Sequence, residues 1–136
     1  MLSKLCVRRL NTLADFMDAL PPSAQEHFYM GNFFYHTGDH KHKFGKYITR
    51  RDLNLCGTTA CAQGWAATIP AFRRQGLRMN ARGVVRFNRG REDGDNFFAV
   101  EDCDRQAGAH KLFYRYHIRT LKGWARMCRK FIRENA

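Results

Sequence analysis

Leu2, Leu5, Cys6, Leu10, Leu13, Met17 and Leu20 recur at spacings of three and four residues, the period of one apolar helix face. They predict an amphipathic helix over 3–20 that Pro21-Pro22 terminates. Ser23 and Glu26 stand at capping-box spacing, so a short second helix is expected before Met30-Gly31-Asn32. Phe28, Phe33, Phe34 and Tyr35 then need a core to pack into. The polar, glycine-containing stretch 36–46 reads as a loop and as the region expected to move most, and 46–54 carries basic residues. Thr58 follows Gly57 as a candidate N-cap, after which Cys61, Trp65, Ile69 and Phe72 line one face of a helix closing near Gly76, with a kink at Pro70. Gly64 lowers the helix propensity of that segment by about 1 kcal/mol, so a backbone or an aromatic ring is expected to pack closely there.

The pattern changes at Gly83-Val84-Val85-Arg86-Phe87, the best strand candidate, which leads into a turn-rich stretch over 88–95. Asp95 and Asp102 or Asp104 are expected to cap two short helices, with Ala107, His110, Leu112 and Phe113 forming the apolar side of the second. Thr120 caps the last helix, over 121–134. On a wheel of about 100° per residue, Lys122, Arg126, Arg129 and Arg133 fall within roughly 60° of one another, opposite Trp124, Met127, Cys128 and Phe131. The expected fold is mainly α: a compact single domain over 1–136 of about five or six helices, with at most one small β-hairpin between 84 and 98.

Composition adds a partner class to this outline. The 136 residues suffice for one core, and the apolar runs fall far short of the roughly 20 residues of a membrane span, so no membrane contact is expected. Twenty-four Lys and Arg against 12 Asp and Glu give a formal charge of +12, and 17 of the cations are arginine, whose planar fork suits phosphates and carboxylates. Half of the acids (Glu92, Asp93, Asp95, Glu101, Asp102 and Asp104) crowd into one short stretch, leaving the remainder more basic still. Beyond the last helix, the pairs Arg8-Arg9, Arg50-Arg51 and Arg73-Arg74 and the series Arg78, Arg82, Arg86, Arg89 and Arg91 repeat the theme. The sites expected to contact nucleic acid or an acidic partner are Arg73, Arg74, Lys122, Arg126, Arg129 and Arg133, with Phe44, Tyr114 or Tyr116 available to stack on bases.

Candidate chemistry is sparse. Cys56 and Cys61 could be joined by His36, His40 or His42, or by Cys103 and His110, but structural zinc sites use tighter pairs, and no metal ligand is assigned. A nucleophilic Cys61 at a helix start lacks an identifiable base, the acids over 92–104 are accounted for by caps and turns, and no phosphate-loop fingerprint occurs. No catalytic residue and no cofactor are therefore expected. An odd five cysteines, behind a start too soon interrupted by arginine for a secretory signal, suggest reduced thiols in a cytoplasm.

The run Cys56-Gly57-Thr58-Thr59-Ala60-Cys61-Ala62-Gln63-Gly64-Trp65-Ala66 resembles the C-G-T-x-x-C-x-x-G-W-A core of an uncharacterised family of small phage and bacterial proteins. The leading helix with its Pro-Pro turn, Phe28-Tyr29-Met30, Phe97-Phe98, Leu112-Phe113 and the Thr120 helix extend the resemblance over most of the chain, while the histidines over 36–42 and the arginine content depart from it. The resemblance implies phage origin and action inside an infected bacterium, with Cys56, Gly57, Thr58, Cys61, Gly64 and Trp65 as a structural core. Two partner classes follow: DNA or RNA, held on arginine stripes, or an acidic or nucleic-acid-binding host protein, inhibited as a host-takeover or anti-defence step.

Overall fold

The computed structural model describes residues 2–31, 33–36, 44–55, 58–98, 112–113 and 118–136. Helix α1 (Lys4–Ala19) starts where expected: the Ser3 hydroxyl accepts from the Cys6 N–H at 3.1 Å. Cys6, Leu10, Leu13, Ala14 and Met17 are buried, whereas Leu5 stays 44% exposed, because it stands about 100° round the helix from Cys6, at the margin of a stripe narrower than the spacing suggests. Pro22–His27 forms a 3-10 turn without a side-chain cap. The expected Ser23–Glu26 capping box does not form, since proline at the first helical position starts the turn one residue early and leaves Ser23 inside it.

The last helix, which we label α6 (Leu121–Asn135), is capped by Thr120, whose hydroxyl accepts from the Gly123 N–H at 2.9 Å. It lies antiparallel along α1: Leu2 N–H donates to Asn135 O at 2.8 Å at one end, and Lys122 meets Asp18 at the other. Trp124, Ala125, Cys128, Phe131 and Ile132 fill the seam, where the Cys128 thiol donates to Leu10 O at 3.6 Å.

The middle of the chain departs most from expectation. Tyr35–His36 (β1) pairs antiparallel with Thr58–Thr59 (β2), so Thr58 is a buried strand residue and Cys61 takes the N-cap position of α3 (Ala62–Ala66). The single helix expected to run to Gly76 is broken: Ile69 is extended ahead of Pro70, and α4 (Pro70–Arg74) begins afresh. Helix α4 closes with a Schellman turn, Leu77 N–H to Phe72 O and Gly76 N–H to Arg73 O, each at 3.0 Å, with Gly76 at φ +101°. Gly64 has the close neighbour its position implies: a Cβ there would overlap the Phe33 carbonyl and approach Ala60 Cβ to 2.9 Å. A short helix α2 (Arg50–Leu53), opened by a Thr49–Asp52 capping box, precedes the motif.

In place of one hairpin, β3 (Arg78–Met79), β4 (Val85–Phe87) and β5 (Glu92–Asp93) make a three-stranded antiparallel sheet, and with β1–β2 the fold is mixed and mostly helical. Strands of two or three residues are too short for their alternation to register in the sequence. Asp95 is not a cap but the first residue of α5 (Asp95–Phe98), buried and accepting from the Gln63 amide. Asp102, Asp104, Ala107 and His110 lie outside the described residues; Leu112 and Phe113 are buried. Rings link seam to sheet: Trp124 to Phe113 at 6.1 Å, Phe113 to Phe98 at 5.1 Å, Phe98 to Phe97 at 5.0 Å, and Phe97 on to Phe72 at 4.9 Å and Phe87 at 5.4 Å. No helix among the described residues is long and apolar enough to cross a membrane.

Phe97 is the branch point of that chain, with Arg9 stacked 3.8 Å over its ring. Phe97→Ala should therefore cost about 3–5 kcal/mol in chemical denaturation, a large share of a small domain's stability. A loss below about 1 kcal/mol would show that the rings do not join the sheet to the helices.

Candidate anion-binding site

The cysteine motif forms core. Thr58 O accepts from His27 Nδ1 at 2.8 Å, Thr58 Oγ1 meets His36 Nδ1 at 2.9 Å, and the Trp65 indole donates to His27 O at 3.2 Å. Gln63 is fully buried, with its amide nitrogen on Asp95. Burial pushes the Cys61 thiol up to about 11, the N–H groups of Gly64 and Gln63 moderating the rise, and burial takes Cys128 to about 12. Both thiols are thus held away from the reactive thiolate. Cys56 and Gly57, with Cys103, His40, His42 and His110, lie outside the described residues. Among the described residues no group of three or more His, Cys, Asp or Glu is arranged to hold a metal ion.

The cationic ridge expected on α6 meets acids from another helix. Arg129 donates to Asp15 at 2.9 Å and to Asp18 at 3.1 Å, and Lys122 reaches Asp18 at 3.0 Å. The hydrogen bonds from Lys122 and Arg129 hold Asp18 below its ordinary carboxylate value, and those from Asp15 and Asp18 raise Arg129. Arg126 and Arg133 remain exposed on the same helix, about two turns apart. On α4, Arg74 is exposed and Arg73 is half-buried. Arg9 serves the core instead: it donates to Phe97 O at 2.6 Å and to Gln75 Oε1 at 2.9 and 3.1 Å, and burial, followed by the charge of Arg8, lowers its pKa.

The sheet gathers a different set of cations. Main-chain register places Arg78 directly opposite Arg86, and Arg86 opposite Asp93, so one row across the sheet reads Arg, Arg, Asp, while Met79 and Val85 point into the core. Arg86 is committed to the fold: its guanidinium donates to Asp93 and twice to Gly90 O at 3.2 Å, tying down the β4–β5 turn. In that turn Asn88, Arg89 and Gly90 have φ of 55°, 58° and 81°. Gly90 suits the left-handed region; Arg89 occupies it at a cost of about 1–2 kcal/mol. On the opposite edge Tyr47 bridges to Asn80, Ile48 N–H donates to Met79 O at 2.8 Å, and the Tyr47 ring carries Arg78 at 4.9 Å and Lys46 at 5.4 Å. Together Lys46, Tyr47, Arg78, Asn80, Arg86 and Arg89, with Gly76 and Gly90, line a concavity of about 490 Å³.

Four cations thus converge on one hollow, and Asp93 offsets one of them. Arg78, Arg86 and Arg89 stand out in the sequence as a basic series, but Lys46 and Tyr47 do not, because only the Tyr47–Asn80 pairing brings them there. Of the aromatics expected to stack on bases, Tyr114 and Tyr116 lie outside the described residues, and Phe44 is half-buried with its ring 5.1 Å from Phe34. Comparison with protein-family models, with curated proteins and with solved structures finds no match to this chain.

The buried thiols give a direct expectation. With pKa values of about 11 and 12, Cys61 and Cys128 should resist iodoacetamide in the native protein at pH 8 and react once it is denatured. Because folding raises both values, their contribution to stability is complete below the unfolded thiol value of about 8.5 and is lost as the pH rises through 11 to 12. Rapid native labelling of Cys61 at pH 8, read by mass spectrometry, would contradict this.

Proposed function

We propose that this chain is a non-enzymatic nucleic-acid-binding accessory protein that seats phosphate groups in the concavity formed by Lys46, Arg78, Arg86 and Arg89. The observation that carries the reading is the facing pair Arg78 and Arg86. Like charges directly opposite across strands are destabilising, and Asp93 relieves only one side of the pair. A fold that retains this repulsion, beside an arginine in the left-handed region, keeps its positive charge concentrated where an anion can collect it. Arginine forks, a lysine and an aromatic ring in one hollow are the groups that hold a phosphate and an adjoining base.

Arg126 and Arg133 on α6, with Arg73 and Arg74 on α4, extend the same reading as lesser contacts. The motif resemblance adds the setting, the cytoplasm of an infected bacterium. A second reading, an inhibitor docked on an acidic host protein, draws support from Tyr29 and Tyr35: each is 53% exposed, and exposed tyrosines on an arginine-rich chain are a composition typical of protein interfaces.

Fluorescence anisotropy with single-stranded DNA and RNA tests the first reading. Affinity should fall linearly on a logarithmic salt scale, and the double reversal Arg78→Glu with Arg89→Glu should weaken binding by at least about tenfold and flatten the salt slope. Reversing Arg126 and Arg133 should cost less than about threefold. Circular dichroism confirms that each variant is folded. Absence of salt-dependent binding, together with capture of one nuclease-resistant host protein, would replace this reading with the inhibitor.

A further inference from the structure

The way the cations are grouped carries the reading further. An internal phosphodiester bears one negative charge, and a strand distributes its charges along a track. The concavity on the sheet is not a track. Lys46 and Arg78 both stand over the Tyr47 ring, Arg86 comes from the central strand and Arg89 from the β4–β5 turn, so cations from three separate segments line one hollow. After Asp93 is set against Arg86, the surplus still exceeds what one diester can neutralise. A phosphate monoester or a diphosphate concentrates about two or more negative charges on one small group with several acceptor oxygens.

Size and wall chemistry agree. About 490 Å³ is within the range of small-ligand pockets and exceeds what one phosphate fills, leaving room for an attached sugar beside Tyr47. Gly76 and Gly90 present bare backbone to the hollow, allowing close approach. Asn80 Oδ1 is occupied by the N–H groups of Arg82 at 3.0 Å and Val84 at 3.1 Å, so the group its side chain can offer a ligand is its Nδ2 donor. Arg86 reaches the hollow already fixed by Gly90 O and Asp93. The site therefore combines one guanidinium held by the fold, two cations, Lys46 and Arg78, resting on the Tyr47 ring, and Arg89, exposed in the turn and able to close on the ligand.

We propose that this concavity recognises a terminal phosphate, a monoester or diphosphate, in preference to the internal backbone. The inference rests on the nucleic-acid reading above and sharpens it: the protein binds ends, or free nucleotides with the same group.

The test uses the intact protein and one oligonucleotide sequence prepared with a 5′-phosphate or a 5′-hydroxyl, in an anisotropy titration. The 5′-phosphate should tighten binding by about tenfold. Arg89→Gly should abolish that gain; glycine takes the same φ without strain, so the variant keeps its fold, as a thermal melt would verify. Competition with adenosine 5′-diphosphate separates the sources: displacement at equal concentration assigns the site to free nucleotides, and displacement by the phosphorylated strand alone assigns it to strand ends, either result upholding the proposal. Equal affinity for phosphate and hydroxyl ends, with salt-dependent binding retained, would overturn the terminal-phosphate inference and leave the nucleic-acid reading standing. Binding to neither oligonucleotide would overturn both.

Discussion

The antiparallel packing of α1 on α6 is the constraint on which the remaining structure depends. Its buried faces, from Cys6, Leu10, Leu13 and Met17 on one helix to Trp124, Cys128 and Phe131 on the other, make the most extensive contact between two elements among the described residues. Its margin also settles an electrostatic question, because Asp15 and Asp18 are carried to Lys122 and Arg129 by the same alignment that buries the seam. From Trp124 the aromatic chain runs through Phe113, Phe98 and Phe97 to Phe87 on β4, so the position of the sheet follows from the seam. Ring pairs of this kind contribute about 0.5–1.5 kcal/mol each beyond their buried area, enough to fix orientation as well as contact.

That arrangement divides the arginines into two populations. Arg9, Arg86 and Arg129 have their guanidinium groups bonded to carbonyls, an amide or carboxylates and hold elements together. Arg78 and Arg89 make no such commitment and stand beside Arg86 over one hollow. Net charge alone cannot distinguish the two groups, and the basic stripe expected on α6 is one that the fold partly neutralises. The sheet concentrates charge instead, because β-register sets residues face to face at about 5 Å, closer than a helix surface spaces its successive turns.

What was legible in the sequence was local. The cap at Thr120 was readable because a hydroxyl and an N–H three residues on suffice to form it, and the start of α1 was readable from its apolar period, Ser3 then supplying the cap. Gly64 was readable because a glycine inside a helical pattern needs a neighbour, which proved to be Phe33 O. Pro70 signalled a disturbance, but whether it kinks or splits a helix depends on whether the preceding residue turns extended, as Ile69 does. The sheet was mostly hidden: β3 and β5 have two residues each, and the Arg78–Arg86 facing exists only once the register is known. The site shared that fate. Three of its arginines were visible as a series, but Lys46 and Tyr47 join them through a single bridge from a distant part of the chain.

The most direct test of the account is a map of amide chemical shifts on the isotope-labelled protein as a 5′-phosphorylated oligonucleotide is titrated in. Changes should cluster at residues 46–48, 76–80 and 86–90, around the concavity, with smaller changes at Arg126 and Arg133. Changes confined to α6, or to the neighbourhood of Tyr29 and Tyr35 with the concavity silent, would contradict it.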